Sequence, residues 1–411
     1  MPPFPLNLAD YFGHWPSYLV FVLIGIAFGA VLEMSGFGNS KKLAAQFYFK
    51  DMTVLKVMFG AIIVAMSLIF LTTALGLLDY NLIWVNPTYL WPGIVGGLLM
   101  GVGFIIGGFC PGTSLVAAAT AKIDGILFAL GVFFGIFLFG ETETLFDDFF
   151  YSSYMGRYTL PELFGVSTGV VVLGIVVMAL LMFWGSEYLE AIFGKKDRAS
   201  EPRWRYAAAG GLTLLAGAVL LIGQPSTQER WERIADEKEA LLEARAVQIH
   251  PAELLDNIHD PKINVIMLDV RDVTDYNLFH ILDSTYVPLE ELTDHVEDFL
   301  QEPPNTLFVT ISNDEARATE AWKLLVAESV PNVYILEGGI NNWLDLYASE
   351  EFKADHPIRQ DAGDDELKYT FTAAFGAHYD AAYPSPEEFE YEYEPKVKLE
   401  VRRGPTSGGC G

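Results

Sequence analysis

Cysteine is scarce in this chain. Its 411 residues contain two, Cys110 and Cys410. That excludes a disulfide framework, and no set of four ligands has the spacing of a structural zinc site. Basic residues are also few: 26 Lys and Arg stand against 53 Asp and Glu, for a formal net charge of −27. Such an acidic surface argues against nucleic acid as a partner. The opening stretch "MPPFPLNLADYFGHWPS" has no basic residue ahead of the first apolar run, so no cleaved secretory signal is read there. His250, His259 and His295 have no metal-ligand spacing and read as surface or loop residues. No cofactor motif is found. Charge is nearly missing from six long stretches, at about 18–32, 54–78, 90–109, 123–140, 163–184 and 206–222. A bilayer core ~30 Å thick needs about 20 apolar residues in a helix, and so many long uncharged runs point to spans rather than to a soluble core. Trp15 and Tyr18 flank the first run as an interfacial belt does.

What is present divides the chain by solvent. Apolar runs lie before Pro225 and most acidic residues after it. Residues 1–225 are read as a membrane domain, 226–246 as a charged helical stalk, 247–347 as a soluble domain and 348–411 as an acidic, tyrosine-rich tail ending in "GGCG". In the soluble domain, short β-like runs ("NVIMLD", "TLFVTI", "NVYIL") alternate with helical patterns, which predicts an α/β fold with a parallel sheet. The tail segment "FEYEYEPKVKLEV" alternates like an exposed or added strand.

Two membrane segments resemble each other. "GIAFGAVLEMSGF" and "GLLMGVGFIIGGF" align without gaps, pairing Gly25 with Gly97, Gly29 with Gly101, Gly36 with Gly108 and Phe37 with Phe109, always 72 positions apart. Recurrent close-packing glycines are one explanation. An internal duplication, the usual construction of transporters with a site near the repeat interface, explains the ungapped match better. Lys and Arg alternate along the connections. Lys41, Lys42, Lys50 and Lys56 are in the first, Lys122 in the third, and Lys195, Lys196, Arg198, Arg203 and Arg205 in the fifth; the second has none and the fourth is acidic apart from Arg157. With six spans this places both termini, and so the soluble domain, outside the cytoplasm.

The second repeat ends in "GGFCPGTS". Gly108, Pro111 and Gly112 break a helix at membrane depth, and freed backbone groups there must find protein, water or ligand. A new helix is expected to start at once, with Thr113 or Ser114 as its N-cap. A helix N-terminus suits an anion, and a soft thiol beside it, Cys110, suits one carrying terminal sulfur, such as thiosulfate. A kinked helix whose buried cysteine merely fills space is the competing reading. "GGFCPGTS" and the duplicated glycine run resemble the YeeE/YedE family of sulfur-related membrane transporters over about residues 18–185. The resemblance implies Cys110 as the substrate-contacting thiol, with Gly108, Pro111, Gly112, Thr113 and Ser114 shaping its surroundings. The equivalent place in the first repeat reads "SGFGNS", covering Gly36, Phe37, Gly38 and Asn39, so glycine stands where a second thiol would be. A relay of several membrane thiols is therefore not available within one chain.

"MLDVRDVTDYNLFHILDSTYVPLEEL" resembles the rhodanese signature, with Asp269, Arg271, Tyr276, His280 and Pro288 in order; Gly338, Gly339 and Trp343 match the family's closing segment. Active members of that family place a nucleophilic cysteine five residues before an arginine. Counting back from Arg317 in "TISNDEARATEAW" puts Ser312 at that position, and Asp314 and Glu315 add negative charge to the loop. A hydroxyl cannot carry a persulfide. A binding module rather than an enzyme is expected, with Cys410 on its glycine arm a candidate sulfur carrier or simply an exposed tail thiol. The sequence thus predicts a polytopic α-helical membrane domain of about six spans with an internal repeat, plus a soluble α/β rhodanese-like domain, in a bacterial inner membrane. Its expected function is movement of a sulfur-containing anion. The alternative is a non-transporting accessory or scaffold subunit that docks partners through its soluble parts. The expected partners are the lipid bilayer, the small anion, and a homo-oligomer or larger membrane complex.

Overall fold

The computed structural model describes residues 3–6, 8–195, 203–389 and 391–400. Cys410 and the basic residues Lys196 and Arg198 lie outside them. The chain forms two compact units that divide at Gln224 and Pro225.

In the first unit, the longer helices are α1 (His14–Met34), the short α2 (Ser40–Ala44), α3 (Thr53–Ala74), α4 (Leu90–Gly107), α5 (Pro111–Ala119), α6 (Ile123–Thr142), α7 (Thr168–Phe193) and α8 (Trp204–Ile222). Among the described residues six segments are long and apolar enough to cross a membrane: α1, α3, α4 continuing into α5, the stretch from Ile123 to Leu145, α7 and α8. Their outer faces are oily, with Leu98, Leu99, Phe133, Phe134 and Leu181 all exposed. In water each such side chain would forgo ~1.5–3 kcal/mol of burial, so these faces require lipid. α3, α7 and α8 pack around Ile63, Val172, Val176, Ala179, Ala216 and Val219. The fifth span begins at Thr168, where the runs alone suggested 163, because Leu160–Phe164 is a separate turn of helix closed by Gly165 in the left-handed conformation.

The second unit begins with α9 (Thr227–Glu243). This helix, set apart by the sequence reading as a stalk, packs on the α/β unit. Arg230 pairs with Glu328, Thr227 Oγ1 donates to the same carboxylate at 2.6 Å, and Trp231 lies edge-on to Trp322. Then follow β1 (Gln248–Ile249), α10 (Pro251–His259), β2 (Asn264–Asp269), β3 (Thr285–Tyr286), β4 (Thr306–Ile311), α11 (Ala316–Ala327), β5 (Val333–Leu336) and α12 (Gly339–Tyr347). All strand pairs are parallel, in the order β1-β5-β4-β2-β3. The central β4 is buried along its whole length, as expected of a parallel strand covered on both faces. Beyond Tyr347 the chain stays packed: Leu367, Tyr369, Ala381 and Ala382 join the core. The exposed or added strand suggested by the alternation is not formed over the described residues 391–400. Residues 391–400 join no ladder, and side chains accept four of their amides: Lys396 N and Val397 N donate to Glu253 Oε1, Lys398 N to the Tyr334 hydroxyl and Glu400 N to Asn332 Oδ1.

Candidate functional site

Both repeats break in the same way. α1 ends at Met34 and Gly36 turns left-handed at φ +80; α4 ends at Gly107 and Gly108 turns at φ +73. A side chain is strained there, which explains the matched glycines. The following phenylalanines, Phe37 and Phe109, are both fully buried and share one cluster with Leu43, Val54 and Ala117. The backbone at Gly108 lies against Ser40, within 3.1 Å of where its Cβ would stand. The two breaks are therefore neighbours. Polar links reinforce this: Ser40 Oγ donates to Asp124 Oδ2 at 2.8 Å, and Lys122 Nζ lies 3.1 Å from Glu33 Oε1.

The caps differ between repeats. Asn39 Oδ1 caps α2, accepting from Lys41 N and Lys42 N. In the second repeat the cap is Cys110 itself, not Thr113 or Ser114 as the residue types suggested. Pro111 is the reason: its fixed φ and missing N–H suit the first helical position, which puts the cap at the residue before it, three ahead of Thr113. Thr113 N donates to Cys110 Sγ at 3.5 Å, and Cys110 N donates to Thr113 Oγ1 at 3.0 Å. Thr113 and Ser114 are buried, and Ser114 Oγ donates to the Pro111 carbonyl at 2.7 Å. Cys110 is half-buried, with an N–H of the helix start directed at its sulfur.

Gly38, the first-repeat counterpart of Cys110, lies against the ends of two charged side chains. A Cβ there would collide with Glu33 Oε2 and stand 2.8 Å from Lys122 Nζ. A side chain here would displace the flexible ends of this ion pair. Residue types alone did not reveal this pair. Nor did they reveal buried Glu190, whose carboxylate accepts from Met52 N at 2.7 Å and pairs with Lys56 at 2.6 Å, tying the end of α7 to the start of α3.

In the second unit Ser312 follows β4 directly, fully buried, and its hydroxyl has no hydrogen-bond partner among the described residues. The Asp269–Arg271 pair is buried beneath the loop: Arg271 donates to both carboxylate oxygens of Asp269, to the Phe279 carbonyl and to Asn313 Oδ1 at 3.0 Å. Ile340 N and Asn341 N close the loop from α12 by donating to the carbonyls of Ser312 and Asn313. Tyr276 and His280 stack at 3.9 Å, and burial pushes the Tyr276 phenol above its ordinary pKa. The acidic loop residues are paired, Asp314 with Lys368 at 2.9 Å and Glu315 with Arg245 at 2.7 Å. Arg317 turns its guanidinium to Asp272 and Glu290. Among the described residues no group of three or more His, Cys, Asp or Glu is placed to hold a metal.

Residues 34–232 match the family model described as Sulphur transport, and residues 250–346 match that of the Rhodanese-like domain. The chain joins a sulphur-transport membrane domain to a rhodanese-like domain. The first match begins at the end of α1 and runs through α8 into α9, whereas the resemblance in the sequence spans about residues 18–185. Among solved structures the chain is similar to the solution NMR structure of a rhodanese-like domain from an Anabaena sp protein, with 21% identity over 29% of this chain and 89% of that one and a TM-score of 0.23. No curated protein matches. The six apolar segments, together with a membrane part that matches the sulphur-transport model, make this a multi-pass membrane protein.

Proposed function

We propose that the membrane unit moves a sulfur-containing anion, thiosulfate or a close relative, past Cys110. The observation that carries this reading is the half-buried sulfur at a helix start, faced by the Thr113 N–H, where two glycine breaks pack together. A helix start supplies partial positive charge for the anion, and the thiol supplies a soft contact for its terminal sulfur. Gly108, Pro111, Gly112, Thr113 and Ser114 set the backbone that presents this thiol. The first-repeat segment Gly36 to Asn39 supports it from the other side, with the ends of an ion pair against Gly38. The proposed location is the bacterial inner membrane, with the soluble unit outside the cytoplasm on the strength of the Lys and Arg asymmetry.

The rhodanese-like unit in this proposal binds rather than catalyses, because Ser312 stands in the nucleophile's place and the loop beside Arg317 has no cysteine. Reconstituted into vesicles, the full chain should take up labelled thiosulfate and lose that uptake in Cys110→Ala. Undiminished uptake in the variant would overturn the mechanism. A cyanide-coupled sulfurtransferase assay on the same preparation should give no thiocyanate above a chain-free control; turnover would restore the enzyme reading. A stoichiometric hetero-complex without transport would favour the scaffold reading instead. Protease added to intact spheroplasts should digest the soluble unit, and protection would reverse the sidedness.

A further inference from the structure

The loop after β4 has an occupant from the chain itself. Asp365, about fifty residues downstream, directs its carboxylate at two backbone N–H groups: Asp314 N donates to Oδ1 at 2.6 Å and Arg317 N donates to Oδ2 at 2.7 Å. Asn313 Nδ2 donates to the Asp365 carbonyl at 3.0 Å. The neighbouring residues fasten the same segment. Asn341 Nδ2 donates to the Glu366 carbonyl, Lys368 N donates to Asn341 Oδ1, and Lys368 Nζ pairs with Asp314. Leu367 and Tyr369 are buried on either side of Lys368. Asp365 holds a left-handed conformation, φ +56, one that few side chains other than Asn and Asp adopt readily. Within the loop, the Ser312 hydroxyl is fully buried and unpartnered among the described residues, so the loop retains polar capacity that its own side chains do not use.

We propose that residues 365–368 form an internal plug: the Asp365 carboxylate acts as a built-in anion that closes this loop to external oxyanions. The chemistry is direct. Two convergent N–H groups, one of them in the first turn of α11, make an anion cradle, and a tethered carboxylate presents itself at about millimolar effective concentration or above. A small anion bound through two amides does not displace it. The inference is independent of the transport reading and of whether Ser312 could react.

The test uses the full-length chain and hydrogen exchange of the segment 313–318, with sodium sulfate as probe and sodium chloride at matched ionic strength as control. Asp365→Gly keeps the left-handed backbone and removes the carboxylate. Exchange at Asp314 and Arg317 should rise at least ten-fold, and sulfate should restore protection in this variant while leaving the wild type unchanged. Asp365→Asn, which also tolerates the conformation, keeps one acceptor but sets an NH₂ group against the other N–H. It should lose protection at one amide only, and it keeps the test alive should the glycine variant fail to fold. Exchange in β2 and β4, unchanged in both variants, separates opening of the loop from loss of the fold. Sulfate protection of the wild type to the same degree would mean that the loop is already open. Unaltered exchange in Asp365→Gly, or no response of that variant to sulfate, would equally overturn the plug.

Discussion

Replacing Cys110 by Ser separates two roles of one atom. The sulfur caps α5, accepting from Thr113 N at 3.5 Å, a long contact to a weak acceptor. Losing a helix cap costs ~0.5–2 kcal/mol, and so poor a cap belongs at the low end, about 0.5–1 kcal/mol for Cys110→Ala. Serine is the stronger N-cap and completes the reciprocal pair with Thr113, whose hydroxyl already accepts from the residue 110 amide. Stability in detergent should therefore rank Ser at or above Cys, with Ala lowest. Transport should rank differently. If the anion's terminal sulfur needs a soft partner, Ser and Ala both fall at least ten-fold, equivalent to ~1.4 kcal/mol on the limiting barrier. Labelled thiosulfate uptake into vesicles, normalised to folded protein, reads one order, and thermal unfolding reads the other. Uptake by Cys110→Ser within two-fold of wild type would refute the reasoning, since the cap alone would then explain why a polar atom sits there.

Further outcomes follow from the same geometry. Gly38→Cys, which puts a thiol in the first repeat, displaces only the flexible ends of Glu33 and Lys122, so the unfolding temperature of the full chain should fall by no more than it does on loss of their ion pair in Glu33→Ala; a larger fall would place strain in the backbone. Arg271→Met leaves Asp269 buried and unpaired, a loss of about 3–5 kcal/mol, so the denaturant midpoint of the rhodanese-like unit should fall sharply in the full chain; a shift below ~1 kcal/mol would deny the pair its role. Burial, helped by the hydrogen bond and charge of Asp345, raises the Tyr369 phenol above its ordinary 10.0; burial likewise raises Tyr347, and raises Tyr393 together with Asp256. The folded state holds these protons longer than the unfolded chain does, so their contribution is complete below pH 10 and declines as pH rises beyond it. Alkaline titration of the unfolding midpoint should show that decline, shallower in Tyr369→Phe; an equal slope in wild type and variant would exclude Tyr369 as a source.

How much of this could be seen beforehand depended on whether a feature is carried by a pattern or by a single contact. Apolar length announced the six spans, because lipid rewards every residue of a run. The 72-residue offset announced the two matching breaks, because left-handed turns such as those at Gly36 and Gly108 strongly favour glycine. The parallel α/β unit was equally plain in alternating short strands and helices, and Asp269 with Arg271 was visible as part of a motif. The cap at Cys110 was misplaced because residue preference favoured Thr113 and Ser114, whereas Pro111 determined where the helix begins. The tail looked like a strand because its side chains alternate, yet alternation says only which residues face the core. Whether a ladder forms depends on what the amides meet, and Glu253, Tyr334 and Asn332 meet them with side chains. Asp365, Glu33 with Lys122, and Glu190 with Lys56 left no periodic trace, since each is one charge meeting groups dozens of residues away. Two of these contacts fall where the sequence had pointed to sulfur chemistry. The ends of Glu33 and Lys122 lie against Gly38, and the Asp365 carboxylate accepts from two amides of the loop beside Ser312. At both places a charged group from elsewhere in the chain meets the space or the amides there. Among the described residues Cys110 is the one thiol, so in the proposed function uptake by Cys110→Ser tests more than any substitution in the soluble unit.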